Sequence, residues 1–270
     1  MTSTTGRRPL AVVTGASSGI GYALAEEFVR RGFDLVVAAE DTGINAAADR
    51  LEAPDAEVLP VTVDLASYDG VETFWREISA LGRPVEALAV NAGVGVHGDF
   101  VRDNDLSAEL NLINLNVTSA VHLAKRVLPG MVERGDGKVL FTSSIAATSP
   151  GPFEATYGAS KAFLFSFAEG IRNELKDTGV TVTALLPGPT DTNFFDRAGL
   201  QDTKLGQSKK DDPAEVAKDG IDALLAGKDQ VVAGSAKNKA QVAASNVLPA
   251  KAAAAVHRKM SEPGSGGSGS

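Results

Sequence analysis

Tyr157 and Lys161 stand four residues apart in the stretch YGASK. On a helix that spacing puts both side chains on one face. A phenol with an ordinary pKa of about 10 is a poor proton donor at neutral pH. An adjacent ammonium favours the phenolate and draws that pKa down, which would make Tyr157 a general acid or base needing neither metal nor histidine. Ser144 precedes Tyr157 by 13 residues, at the end of the apolar run KVLFTSS. Its hydroxyl can donate to an oxygen that gains charge, as a carbonyl does on becoming an alkoxide. Ser143 is the adjacent alternative. Asn116, in LINLNVTSA, suits a helix interior poorly and can bond backbone groups; Asn111 and Asn114 lie close by.

Other chemistries find little support. The chain of 270 residues has no cysteine, which rules out disulfides, thiolate metal sites and a cysteine nucleophile. No metal site is expected. His97, His122 and His257 fit no triad motif and read as ordinary surface or core residues. A net charge of −8 argues against a nucleic-acid footprint. No apolar run of signal-peptide length precedes Leu10, and none approaches the roughly 18 residues of a membrane span. A cytoplasmic protein is the expectation.

The elements that must position these groups alternate along the chain. Apolar, β-branched runs at 10–14, 34–39, 57–63, 87–91, 138–142, 180–186 and 230–233 read as strands, with Pro60 weakening the third. Helical patterns occupy 19–31, 44–52, 68–80, 105–134, 155–176 and 213–226, the last opened by Asp212 as a cap and Pro213 in its first turn. Strands alternating with helices imply a parallel sheet with right-handed crossovers, helices on both faces and one α/β domain over 1–260. Residues 193–212 lack a firm period and read as a substrate loop or a mobile surface loop. The ending EPGSGGSGS has linker composition, so 261–270 are set aside as a tail.

Directly after the first strand comes TGASSGIG, from Thr14 to Gly21. Gly15, Gly19 and Gly21 allow a tight turn and close approach, while Ser17, Ser18 and Ile20 lead into a helix whose N-terminal N–H groups suit a pyrophosphate. It is no Walker A loop, because Tyr22 and Ala23 stand where Lys and Ser/Thr would be needed.

The series TGASSGIG, NAG at 91–93, Asn116, Ser144, YGASK and PGPTDT at 187–192 resembles the classical short-chain dehydrogenase/reductase family. The resemblance runs from about residue 8 to about 235. It implies a single-domain, doubly wound Rossmann-type α/β fold with a seven-stranded parallel sheet, a nicotinamide cofactor and a homodimer or homotetramer. It implies that Tyr157 exchanges the substrate proton, and that Lys161 lowers its pKa and bonds the nicotinamide ribose. Ser144 would steady the substrate oxygen; Asn116 would distort a helix and hold a relay water. Asp64 and Leu65 resemble the pair that meets adenine. Asn91, Ala92 and Gly93 would line the sheet edge, and Pro187, Gly188 and either Thr190 or Thr192 the nicotinamide end. The implied reaction interconverts a ketone or aldehyde and an alcohol by hydride transfer.

Cofactor choice rests on the end of the second strand, where Glu40 and Asp41 follow Ala39. Carboxylates accept from ribose hydroxyls but repel a 2′-phosphate, so NAD(H) is favoured over NADP(H). Val94, Gly95, Ala146, Phe153, Phe194 and Phe195 are candidate pocket residues, mostly small or apolar. The lysine- and alanine-rich segment 236–260 reads as a solvated helix that could instead close over the pocket, meet a subunit or touch a membrane surface. A non-catalytic nucleotide sensor or scaffold on the same fold is the alternative; it would have no use for the Tyr–Lys acid. A methyltransferase would have none either.

Overall fold

Alternation along each strand sets the layers. In the computed structural model, which describes residues 7–51, 54–245 and 248–267, the first strand, β1 (Leu10–Thr14), sends Leu10 and Val12 to one apolar core and Ala11 and Val13 to another. A strand buried on both faces needs apolar residues at every position, which is why the run LAVVT carries no polar alternation until Thr14.

The chain continues through α1 (Gly19–Arg30), β2 (Asp34–Ala39), α2 (Gly43–Leu51), β3 (Val58–Thr62), α3 (Tyr68–Ala80) and β4 (Ala87–Val90). Then come α4 (Leu106–Ile113), α5 (Ser119–Arg134), β5 (Gly137–Thr142), α6 (Ala155–Glu174) and β6 (Val180–Pro187). The remainder is α7 (Phe194–Arg197), α8 (Lys204–Gln207), α9 (Pro213–Leu225), β7 (Gln230–Ala233), α10 (Ala236–Ser245) and α11 (Ala250–Ser261). The strands form one parallel seven-stranded sheet in the order β3-β2-β1-β4-β5-β6-β7. Phe28, Ile44 and Ile221, from α1, α2 and α9, cover one face; Phe74, Leu123 and Leu164, from α3, α5 and α6, cover the other. This is the doubly wound fold that the alternating pattern predicts.

The strand order reverses between β1 and β4, and a crevice at that switch point is where open α/β sheets hold ligands. Side chains lock the two strand ends there. Thr14 Oγ1 accepts from the backbone N–H groups of Asn91 at 2.9 Å and Ala92 at 3.0 Å, and Asn91 Nδ2 donates to the Thr14 carbonyl at 3.1 Å.

Three sequence expectations change. Pro60 is at home because β3 lies at the sheet edge, where one side of the strand makes no ladder bonds. The helix expected over 105–134 is interrupted by a π-helical turn at Asn114–Thr118. The 193–212 segment is folded rather than irregular: α7 and α8 enclose a small core of Phe195, Ala198 and Leu200 with Phe194 and Leu205 against it. Asp212 caps α9 through Ala214 N–H at 2.8 Å, ahead of Pro213. Among the described residues no helix is long and apolar enough to cross a membrane.

Candidate active site

A cavity of about 550 Å³ runs along the carboxyl ends of the strands, past the switch point. Gly15, Ser17, Ser18, Gly19, Ile20 and Gly21 line one part; Glu40, Asp64, Leu65, Asn91, Ala92 and Gly93 line the next. Ser144, Tyr157, Lys161, Pro187, Gly188, Thr190 and Thr192 complete the groups foreseen from sequence, with Val94, Gly95, Ala146, Phe194 and Phe195 beside them.

The glycine turn is shaped by hard sterics. Gly15 and Gly19 have φ of 67° and 59°, a left-handed conformation that other residues adopt only with strain. A Cβ on Gly21 would lie 2.0 Å from the Gly15 carbonyl oxygen. Gly15 and Ala16 N–H groups bond the Ala38 carbonyl at 2.8 and 3.1 Å, anchoring the turn on β2. The N-terminus of α1 opens beyond it, and the Ser18 side chain, although at the cap position, accepts no bond from the helix. Free N–H groups at a helix start, beside a turn stripped of side chains, fit a pyrophosphate.

At the other end, Ser144 closes β5 and accepts from Ala146 N–H at 3.1 Å. It also hydrogen-bonds the Tyr157 phenol. Ser143 also borders the cavity, but its hydroxyl is engaged by the Lys161 carbonyl at 2.7 Å, which leaves Ser144 as the hydroxyl paired with Tyr157. Lys161 is 5% exposed; its Nζ donates to the Thr142 carbonyl at 3.0 Å and lies 5.7 Å from the Tyr157 ring centre. Burial lowers its pKa to about 8, so it remains mostly protonated at neutral pH.

Tyr157 departs from the expectation. Its pKa is raised, first by burial, then by the charge of Glu154, while the Ser144 bond pulls the other way. In the protein alone desolvation wins, and the lysine does not draw the phenol down.

Asn116 is fully buried and does not line the cavity. Its Oδ1 accepts from Val94 N–H at 2.9 Å, and its Nδ2 donates to the Val94 carbonyl at 2.9 Å and to Ser160 Oγ at 3.1 Å. The amide is thus fully engaged in holding the chain after β4 against α6. A Cβ on Gly93 would fall 3.1 Å from Asn116 Oδ1 and 3.3 Å from Lys161 Nζ, so Gly93 fits between them only without a side chain.

Phe153 does not reach the cavity. Its φ of 66° turns it toward His97 and Arg258, whose guanidinium carbon sits 4.9 Å from its ring. Thr190 is buried with its hydroxyl on the Gly188 carbonyl at 2.9 Å, and Thr192 packs against Gly19 and accepts from Phe194 N–H at 3.2 Å. Asp41 accepts from Ser17 Oγ at 2.9 Å and from Gly43 N–H at 3.0 Å, leaving Glu40 as the open carboxylate near the end of β2.

Of the readings offered for 236–260, the solvated helix gives way to the alternative of a segment that borders the pocket. Gln241, Ala244 and Leu248 with Ala253, Val256, His257 and Met260 all face the cavity, so the 236–260 segment is no merely solvated helix. His257 meets Glu154, which sequence reasoning missed; a carboxylate three residues before Tyr157, on the same helical side, was the available signal. His97 bonds the Ser261 carbonyl at 2.6 Å and His122 pairs with Glu72 at 2.5 Å. Glu262 to Gly267, read as linker, lie against 202–204: Gly266 N–H donates to the Asp202 carbonyl at 2.8 Å and Lys204 N–H to Ser265 Oγ at 3.1 Å. Among the described residues no group of three or more His, Cys, Asp or Glu could hold a metal ion.

A doubly wound parallel sheet, a glycine turn at the switch point and a Ser–Tyr–Lys group on the same cavity define a Rossmann-type nucleotide-binding class. Residues 9–202 match the family described as short chain dehydrogenase, and the chain belongs to that family of oxidoreductases. An uncharacterized oxidoreductase of Myxococcus xanthus is 36% identical over 199 residues, 72% of this chain and 78% of its own length. A short chain dehydrogenase of Pseudocercospora fijiensis is 33% identical over 186 residues, 68% of this chain, which spans only 60% of that relative. A solved short-chain dehydrogenase from Sphingobium yanoikuyae, in complex with NADPH, superposes with a TM-score of 0.77 at 30% identity, covering 83% of this chain and 87% of its own.

Proposed function

We propose that the protein is a nicotinamide-dependent reductase of ketones or aldehydes, reversible as an alcohol dehydrogenase. The observation that carries this reading is the Ser144–Tyr157 hydrogen bond beside buried Lys161, on a cavity continuous with the glycine turn. Gly15, Ser18, Ile20 and Gly21 would hold the pyrophosphate, Asp64 and Leu65 the adenine, and Asn91, Gly93, Lys161, Pro187, Gly188 and Thr192 the nicotinamide half. A bound nicotinamide supplies the hydride.

The chain's own groups handle the proton. Ser144 donates to the substrate oxygen as it gains charge, and Tyr157 gives that oxygen its proton. A phenol kept protonated by burial suits reduction. The Lys161 ammonium, held by the Thr142 carbonyl, faces the ring and favours the phenolate left after transfer. Asn116 acts as a positioning residue, bracing the backbone at Val94. Phe194, Phe195, Val94 and Ala146 favour an apolar substrate body.

NADH is the preferred donor, because Glu40 opens onto the region where a 2′-phosphate would lie and no cation pairs with it among the described residues. The protein is read as cytoplasmic and self-associating; Leu128, Val132, Phe167 and Ile171 line an open groove between α5 and α6, and light scattering measures the assembly.

The direct test follows nicotinamide absorbance with a panel of ketones and aldehydes, NADH and NADPH in parallel. Tyr157→Phe should lower turnover by about 10²-fold or more. Turnover retained within about tenfold would refute Tyr157 as the acid.

A further inference from the structure

The mechanism above leaves one buried charge on the cavity wall without a role. Glu154 immediately precedes α6, where a carboxylate ordinarily caps helix N–H groups, yet its side chain caps none of them. It is 5% exposed and lines the cavity. Oε2 meets His257 Nε2 at 3.1 Å. Oε1 has no partner among the described residues, and it is not among the polar atoms sealed inside protein. The other acidic lining residues, Glu40, Asp41 and Asp64, lie after β2 and β3, far along the sheet from β5 and β6. Glu154 is therefore the acidic group on the Tyr157 side, and its charge acts on the phenol.

The His257 contact is not needed to hold α11 in place. Ser261 Oγ donates to the Pro152 carbonyl at 3.0 Å, His97 bonds the Ser261 carbonyl at 2.6 Å, and Arg258 stacks over Phe153. A buried carboxylate oxygen is costly unless hydrogen-bonded. No side chain of the described residues donates to Oε1, which opens onto the cavity, so a substrate group that displaces solvent from it must donate in its place. A hydroxyl donates to that oxygen without bringing a second charge, and the cost of desolvating it, into the cavity, so the fitting donor is a hydroxyl.

We propose that Glu154, oriented by His257, is a specificity-determining anchor that accepts a hydrogen bond from a hydroxyl on a substituent of the carbonyl substrate. The preferred substrates are then hydroxy ketones or hydroxy aldehydes with an otherwise apolar body. This inference rests on the carbonyl-reduction reading.

Hydroxyacetone and butanone have the same size and differ by hydroxyl against methyl. Their kcat/KM values are compared in the wild type, in Glu154→Gln and in Glu154→Met. The ratio favouring hydroxyacetone should fall by about tenfold or more in Glu154→Met, through KM, and by less in Glu154→Gln, whose amide oxygen still accepts. Equal losses for both ketones would overturn the anchor. A second arm measures binding of both ketones by saturation-transfer NMR in a Tyr157→Phe background, with and without Glu154→Met. If the wild type reduces neither ketone, the reductase reading fails there. The binding arm still decides the anchor: hydroxyacetone bound more tightly than butanone, only with Glu154 present, upholds it, and no difference overturns it.

Discussion

The Phe194 ring lies 5.2 Å from the Tyr157 ring, tilted by 45°, and rests directly over Gly95. The first residue of α7 thereby covers the proton donor. A Cβ on Gly95 would fall 2.6 Å from the Phe194 ring, so Gly95→Ala must push that ring away. We expect Gly95→Ala to raise KM several-fold with a small loss of thermal stability. Steady-state kinetics paired with a melting curve measures both, and a large fall in Tm at constant KM would show that Gly95 serves packing instead.

Lys161 makes stability depend on pH in a definite direction. Its folded pKa of about 8 lies below the value of 10.5 for an ordinary lysine. The folded state therefore releases its proton first, and between those values the unfolded chain binds more protons, so stability rises with pH. The full penalty, roughly 3 kcal/mol, applies below the folded pKa. Urea unfolding of wild type and Lys161→Met should show the wild type gaining on the variant between pH 8 and 10.5. A constant difference across that window would contradict the burial effect.

Asn116→Ala should be destabilising by about 1–2 kcal/mol, because it removes a buried amide that bonds the part-buried Val94 N–H and C=O. Turnover should fall with it, through kcat, while cofactor affinity changes less. Denaturant melts and binding titrations separate the two effects.

Cofactor choice should answer to Glu40. Exchanging it for arginine replaces repulsion of a 2′-phosphate with attraction. Glu40→Arg should raise kcat/KM for NADPH relative to NADH by about tenfold, one such contact being worth on the order of 1.4 kcal/mol. A wild type that already prefers NADPH strongly would show that the carboxylate does not decide the matter.

Gly21→Ala should abolish nucleotide binding and lower Tm, since its Cβ would collide with the Gly15 carbonyl. Quenching of protein fluorescence by NADH provides the assay.

The sequence by itself determined the strands, their parallel pairing and the residues of the glycine turn, because each is written in local pattern. LAVVT is apolar from Leu10 to Val13, as a strand covered on both faces requires, and its glycine turn stands where the chain must bend sharply from strand to helix. Tyr157 and Lys161 could be paired for the same reason, since four residues along a helix is local geometry, whereas the choice of Ser144 over Ser143 came from the resemblance to the short-chain dehydrogenase/reductase motif series.

Tertiary structure decided what depends on segments distant in sequence. Whether Tyr157 is pulled down by Lys161 or pushed up by burial depends on what surrounds both, and the surroundings push up. Phe153 looked like a pocket residue by position, but a positive φ turned it toward His97 and Arg258. The meeting of Glu154 with His257 spans 103 positions of chain and leaves no periodic trace. Spacing foretells contacts within a helical turn or along a strand; contacts closed by a fold of the whole chain are fixed by how its layers pack.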